Sequence, residues 1–108
     1  MLSEDVLNSV QKYLAAVQEA GVEIEFAVVF GSQARGEVHK WSDIDLLVVS
    51  PQFDSLHDRS AINLLWRLTA RVDSRIEPIP CGSLQWREDD SSAIIEIARR
   101  EGEVLNAA

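Results

Sequence analysis

The sequence predicts an α+β domain in which helices flank a small mixed β-sheet, with the element order αβ(turn)βαβα. The runs 26–30 and 44–49 are almost wholly apolar and bounded by polar or turn residues, as buried strands are. The segments around them have apolar residues at helical spacing. One of these helices separates the second and third strands, which is the usual connection between parallel neighbours, whereas the short polar turn between the first two strands favours an antiparallel pair.

The first helix and strand are predicted from local signals at their ends. Apolar residues recur every three or four positions over 3–20, Ser3 can cap this helix, and Gly21 ends it. The first strand is predicted over 24–30. A polar segment then runs from Gly31 to Ser42 before the second strand, which Pro51 helps to stop.

The rest of the chain predicts a helix over 55–72, a strand over 75–81 and a final helix over 91–100. Trp66 lies at helical spacing with apolar neighbours and is assigned to the core. Pro78 and Pro80 both lack an N–H group on the same edge of the third strand. This strand is therefore predicted at the border of the sheet.

Length and charge limit the classes of function. The chain has 108 residues, which predicts a single domain spanning 1–108. Its net charge of −8 argues against direct nucleic-acid binding, because such affinity depends on basic side chains that neutralise phosphates. The sequence has no apolar run of the roughly 18 residues that a membrane span needs, and its first ten residues are acidic and lack the basic-then-apolar pattern of a secretion signal. With Cys81 as its single cysteine, a cytoplasmic protein is expected.

Two carboxylates at the head of the second strand are candidates for a metal site. Asp43 and Asp45 are separated by one residue and therefore point to one face of the strand. Like charges resist ionisation unless a cation compensates them, and hard oxygen ligands favour Mg²⁺ or Mn²⁺. The alternative is that Asp43 is a turn residue after Ser42 and that Asp45 is merely exposed at a strand end.

The segment 31–36, Gly-Ser-Gln-Ala-Arg-Gly, is a candidate anion site. Gly31 directly follows a buried strand, where the backbone turns and lets another group approach closely. If Ser32 opens a short helical turn, free N–H groups and a hydroxyl lie at its start, and Arg35 could add a charged fork to a phosphate. The alternative is a plain strand-to-helix turn that Gly36 stops.

Together these segments resemble the nucleotidyltransferase superfamily that includes DNA polymerase beta. Gly31-Ser32 is followed after ten residues by Asp43-Ile44-Asp45, and the fuller string is similar to the minimal, stand-alone branch of that superfamily: GSQARGEVHKWSDIDLLVV. The close match spans 26–50. The resemblance implies an α+β polymerase beta-like fold, two Mg²⁺ ions (Mn²⁺ as a substitute), and transfer of a nucleoside monophosphate, AMP from ATP in the first instance, with release of pyrophosphate.

The resemblance also implies roles for residues on the glycine side of the motif. Gly31 and Ser32 would hold the triphosphate of the nucleotide. Arg35 and Ser42, within and at the end of the same segment, are expected to contribute to nucleotide binding.

On the acidic side, the resemblance implies that Asp43 and Asp45 ligate both metal ions. The family's third carboxylate lies on the next strand, where Glu77 is the best match, although Asp is more common there. Glu77 would bind the metal nearest the attacking hydroxyl and help to remove its proton. Asp73 has the same strand parity and is the competing candidate.

The acceptor of the nucleotide is expected to come from a partner protein or across the shared interface of a homo-oligomer. The resemblance implies a small helical HEPN toxin as partner, with AMPylation of a toxin tyrosine as the antitoxin reaction. Two alternatives stay open. The domain could neutralise a partner by contact alone, with a vestigial site, or it could modify a small molecule as the aminoglycoside-modifying relatives do.

Overall fold

The computed structural model describes residues 2–36, 42–55 and 59–106. Within them the chain folds into a four-stranded sheet with helices packed on both faces. The elements follow one another as α1 (Glu4–Glu19), β1 (Phe26–Phe30), α2 (Ser32–Arg35), β2 (Ile44–Ser50), a 3-10 turn (Pro51–Asp54), α3 (Arg59–Val72), β3 (Ile76–Gly82), α4 (Ser83–Glu88), α5 (Ala93–Glu101) and β4 (Glu103–Leu105).

The sheet is mixed, as predicted. Its strand order is β3-β2-β1-β4, with β1 antiparallel to both β2 and β4, and β2 parallel to β3. The long connection through α3 therefore joins parallel neighbours and the short connection through α2 joins antiparallel ones. This arrangement brings the end of β1 and the starts of β2 and β3 to the same end of the sheet.

The two prolines of β3 explain why it lies at an edge. Ile44 N donates to Arg75 O at 2.8 Å, and Leu46 is in register with Pro78. In a parallel ladder, alternate residues turn their backbone polar groups toward the neighbouring strand. The backbone nitrogens of Pro78 and Pro80 consequently point to the outer edge of the sheet. Among the described residues no neighbouring strand pairs with that edge, so the missing N–H groups cost no hydrogen bond of the sheet.

Each sheet face has its own apolar cluster. Ile44, Leu46 and Val48 of β2 pack on one side with buried residues of α1 and α3. Leu47 and Val49 pack on the other side with α5 and with Cys81, which is buried as apolar filler. We call the first the helix-pair face and the second the site face, because Asp45 alternates with Leu47 and belongs to it.

The termini of the helices follow the capping residues. Ser3 Oγ accepts from Val6 N at 3.2 Å at the start of α1, which confirms the predicted cap. Ser92 does the same for α5, so this helix begins two residues later than predicted. Tyr13 of α1 donates its hydroxyl to Leu65 O of α3 at 2.7 Å, and this buried bond ties the two helices together. None of the helices in the described residues is long and apolar enough to span a bilayer.

The assignment of Trp66 to the core is wrong, because this side chain is 52% exposed. The buried positions of α3 include Leu65 and Leu68, and Trp66 lies one residue beyond Leu65, about 100° around the helix. The structure also contains α4 and β4, which the sequence did not predict. The predicted start of the third helix falls in a bend at residue 55 and on residues 56–58, which lie outside the described residues.

Candidate active site

Three carboxylates lie at the end of the sheet where β2 and β3 begin. Asp43 directly precedes β2, Asp45 is its second residue and Glu77 is the second residue of β3. Asp45 and Glu77 are partners in the parallel register. Paired residues on adjacent strands point to the same face and are about 4.8 Å apart along the hydrogen-bonding direction. The topology thus brings together the three carboxylates that the sequence proposes as metal ligands.

The pKa of Glu77 depends on the charges of both aspartates. Loss of water around its carboxylate and the negative charges of Asp43 and Asp45 raise the pKa of Glu77 above its ordinary value, and side-chain hydrogen bonds with both aspartates act in the same direction. A raised carboxyl pKa means that its ionised form is disfavoured where it stands. A cation among the three groups would relieve this penalty.

Gly31 borders the cluster and fits only as glycine. It has φ 74° and ψ −148°, a conformation that residues with a side chain rarely adopt. A Cβ atom added to Gly31 would lie 2.4 Å from Asp45 Oδ2. Asp45 is the antiparallel register partner of Phe30, the residue before Gly31. The backbone of the turn therefore lies directly against the Asp45 carboxylate.

The predicted short helical turn is present as α2. Ser32 is its first residue, and Gly36 ends it in the left-handed conformation with φ 75°. The first N–H groups of a helix have no acceptor within it, and the side chain at the cap position here is absent. Gly31 and Ser32 accordingly offer backbone donors beside the acidic cluster.

The other two predicted nucleotide-binding residues are engaged with the protein. Arg35 Nη1 lies 3.3 Å from Glu101 Oε2, an ion pair that links α2 to the end of α5. The carbonyl oxygen of Ser42 accepts a hydrogen bond from the Gln33 side chain at 3.3 Å. Ser42 directly precedes Asp43 in the chain, and the roles of Arg35 and Ser42 in nucleotide binding stay predictions.

Gln33 is a functional candidate that the sequence reasoning missed. Its side chain is only 5% exposed, and its amide nitrogen donates to the carbonyl oxygens of both Ser42 and Asp43, the latter at 3.2 Å. These bonds fasten α2 to the backbone that enters β2. The one available signal was an amide next to the Gly-Ser pair, which alone does not predict where those carbonyl groups lie.

Asp73, the competing third carboxylate, has a different partner. It precedes β3, and Asp73 Oδ2 lies 2.7 Å from Arg75 Nη2, which also contacts Asp5 at 2.9 Å. The Arg75 hydrogen bonds lower the pKa of Asp73 to about 2 against the opposing effect of burial. Asp73 is therefore held in an ion pair that connects α1 to the start of β3.

The donor set fits a hard divalent cation. Asp43, Asp45 and Glu77 supply carboxylate oxygens, the ligands that Mg²⁺ and Mn²⁺ prefer, and their mutual repulsion favours a compensating charge. Across residues 2–36, 42–55 and 59–106, no three acidic, histidine or cysteine side chains are close enough together to hold a metal ion as they stand. The fit consequently rests on donor chemistry, shared register and the close approach of Gly31.

Comparison with models of protein families identifies the family to which this fold and motif belong. The model of the nucleotidyltransferase domain matches residues 10–101. The chain belongs to the nucleotidyltransferase domain family. This membership confirms the family that the Gly-Ser and Asp-x-Asp spacing predicts, while no match was found among curated proteins.

Solved structures share the architecture of this nucleotidyltransferase domain. A Sulfolobus solfataricus protein provisionally described as a nucleotidyltransferase superposes with a TM-score of 0.66 at 17% identity, covering 91% of this chain and 77% of its own. A toxin–antitoxin structure with AMP-PNP gives 0.61 at 20% identity, with coverages of 91% and 73%. A variant of the toxin–antitoxin pair MntA–HpeT in which two aspartates are glutamates gives 0.58 at 17% identity, with the same coverages. At these identities the likeness establishes the fold.

Proposed function

We propose that this nucleotidyltransferase domain transfers AMP from ATP to a hydroxyl group of a partner protein, a tyrosine of a HEPN-type toxin, and thereby acts as an antitoxin. The observation that carries the proposal is the register pairing of Asp45 with Glu77 beside Gly31. Family membership supports nucleotidyl transfer as the reaction class.

The transfer is a substitution at the α-phosphorus of the nucleotide. The acceptor oxygen forms a bond to that phosphorus, the bond from phosphorus to the oxygen bridging the α- and β-phosphates breaks, and pyrophosphate leaves. Glu77 accepts the proton of the attacking hydroxyl, while Gly31 and Ser32 orient the triphosphate through backbone N–H groups and the serine hydroxyl. Asp43, Asp45 and Glu77 would hold Mg²⁺, which would supply positive charge to the phosphate oxygens.

Two observations support ATP and a protein acceptor. One structure that shares the fold is a toxin–antitoxin structure with AMP-PNP, an analogue of ATP, and another is a toxin–antitoxin pair. The net charge of −8 also favours a protein with a basic surface over a nucleic acid as partner.

The test is a labelling experiment with matched variants. The purified chain is incubated with Mg²⁺, ATP labelled at the α-phosphate and the protein encoded by the adjacent gene. We expect label on that protein, located on a tyrosine by mass spectrometry. Asp45→Asn should abolish labelling, whereas Asp73→Asn removes a carboxylate that is paired with Arg75 and should retain it.

The same experiment separates the alternatives. Full neutralisation of the partner by Asp45→Asn without any label would refute the enzymatic proposal and establish a binding module. Label on a soluble small molecule would refute the protein acceptor and retain nucleotidyl transfer. Repeating the reaction with the γ-phosphate labelled should leave the partner unlabelled, because that phosphate departs with pyrophosphate.

A further inference from the structure

The solvent-facing side of α3 combines two rows of side chains. Arg59, Arg67 and Arg71 lie on one row of positions four residues apart, with Asn63 completing it, and all four are exposed. The row next to it consists of Ile62, Trp66 and Ala70, and Trp66 is 52% exposed. Over this arc α3 presents a row about 18 Å long that contains three arginines, beside an apolar row that contains Trp66. We call this the α3 surface.

The arginines of the α3 surface differ from the rest. In the part of the chain that the structure describes, none of the three has an ion-pair or hydrogen-bond partner. Every other arginine there has a carboxylate or carbonyl partner: Arg35 with Glu101, Arg75 with Asp73, Arg87 with Glu25, Arg99 with Trp86, and Arg100 with Glu96. In a chain with 18 acidic residues against 10 basic ones, α3 thus carries three exposed arginines and no acidic residue.

From this charge segregation we propose that the α3 surface is a docking site for an acidic amphipathic helix of another protein. Carboxylates four residues apart on such a helix would follow the arginine row, and its apolar side would cover Trp66. Exposed tryptophan and arginine are the residue types that contribute most to protein interfaces.

A second copy of this chain does not fit the α3 surface. Pairing two α3 surfaces about a two-fold axis would bring six arginines together, and like charges across an interface are unfavourable. The other described helices do not carry a row of acidic residues four apart: Glu4, Asp5 and Glu19 of α1 are at its two ends, and Glu96 of α5 is followed four residues later by Arg100.

An extended nucleic acid fits less well than a helix. Its affinity would rest on many phosphate contacts, and beyond three arginines the phosphates would meet a protein of net charge −8. The inference is also independent of the proposed chemistry, because α3 packs on the helix-pair face and the carboxylates lie on the site face.

The test uses a designed helical peptide as probe. A stapled peptide of about 18 residues, which covers the length of the row, has glutamates in one row and leucines in the next, and a scrambled peptide of identical composition is the control. Binding is measured by fluorescence anisotropy at increasing salt, and ¹⁵N chemical-shift mapping locates the contact. We expect shifts confined to α3, binding that weakens with salt, and a lower affinity for the scrambled peptide.

Charge-matched variants distinguish specific binding of the peptide to the α3 surface from non-specific electrostatic attraction to the protein. Arg67→Glu with Arg71→Glu changes the net charge as much as Arg87→Glu with Arg100→Glu, and all four side chains are exposed. We expect the α3 pair to weaken peptide binding by about tenfold or more and the control pair by less than about twofold. Trp66→Ser should weaken binding without changing its salt dependence.

Three results would overturn the proposal. Equal losses in the two charge-matched pairs would indicate non-specific attraction. Failure of the designed peptide to bind at millimolar concentration would exclude the site. Tighter binding of a short single-stranded RNA, with shifts at the same α3 resonances, would assign the surface to nucleic acid. Thermal unfolding of each variant verifies the fold, and substitutions at such exposed positions are expected to leave the melting temperature nearly unchanged.

Discussion

Substituting Gly31 by alanine tests the contact on which the site geometry depends. The new Cβ atom would lie 2.4 Å from Asp45 Oδ2, far inside van der Waals contact, so the Asp45 carboxylate must move. The backbone at Gly31 is also in a region that only glycine adopts readily. Gly36→Ala is the matched control, because Gly36 has the same positive φ, with no atom within 4 Å of its added Cβ.

The two substitutions should differ in free energy of unfolding. Alanine at Gly36 has only the left-handed conformation to accommodate, which costs about 1 kcal/mol. Alanine at Gly31 adds a conformation that costs about 1–3 kcal/mol and displaces Asp45. The displacement can be isolated in a cycle with Asp45→Ala, where we expect a coupling energy of about 1 kcal/mol between the two positions.

The assay is urea unfolding with a chelator and then with Mn²⁺. Wild type and Gly36→Ala should gain stability from Mn²⁺ by the same amount, because both keep the Asp45 carboxylate in place. Gly31→Ala should lose most of that gain. If Gly31→Ala and Gly36→Ala show equal losses of unfolding free energy and equal responses to Mn²⁺, then the close approach of Gly31 to Asp45 does not organise the site, and the reasoning is refuted.

Three further substitutions test neighbouring parts of the structure. Gln33→Leu should cost about 1 kcal/mol and weaken Mn²⁺ binding, with faster amide exchange at the start of β2; unchanged Mn²⁺ affinity would make Gln33 purely structural. Glu77→Gln, without divalent cations, should raise the free energy of unfolding near neutral pH, since desolvation and the neighbouring carboxylates raise the pKa of Glu77 in the folded chain. That gain should shrink as the pH falls and disappear below about 4.3, where Glu77 becomes protonated in the folded and the unfolded chain alike. A pH-independent gain would contradict this reasoning. Asp73→Asn should cost about 1–2 kcal/mol at neutral pH, and this cost should fade as the pH falls from about 3.9, the ordinary aspartate pKa, to about 2, the pKa of Asp73 in the folded chain. Nucleotidyl transfer should persist. Loss of transfer in a folded Asp73→Asn protein would make Asp73 a site residue.

The sequence predicted those parts of the fold that local signals determine. Ser3 and the apolar spacing after it specify α1, and Pro78 and Pro80 place β3 at the edge without knowledge of its neighbour. Gly102 shows where such signals end. Local pattern predicts only that this glycine ends α5, which it does. A Cβ atom added to Gly102 would also lie 2.3 Å from Val28 Cγ1 of β1. The glycine lets the chain pass close over β1 and add β4, a long-range effect that spacing does not reveal.

In the candidate site, too, local features were predicted from the sequence and tertiary contacts were not. The spacing from Gly31 to Asp45 is a local property, and the resemblance it carries predicted the family. The Gln33 bonds depend on where the returning backbone lies, and the Arg35 ion pair depends on the position of α5. Both contacts join segments that are set by tertiary packing, so local spacing could not supply them.

Along the parallel strands β2 and β3, the charged residues lie at the start and the buried apolar residues lie further along. On the site face of β2 and β3, Asp45 and Glu77 come first, and the buried residues Leu47, Val49 and Cys81 follow under α5. Because Glu77 is exposed and Asp45 is only partly buried, water screens their repulsion, while the apolar residues further along hold the strands together. The repulsion is therefore tolerated without a rearranged core. It follows that neutralising Asp45 or Glu77 should leave the domain folded, so a loss of transfer in those variants would report on the chemistry of the site itself.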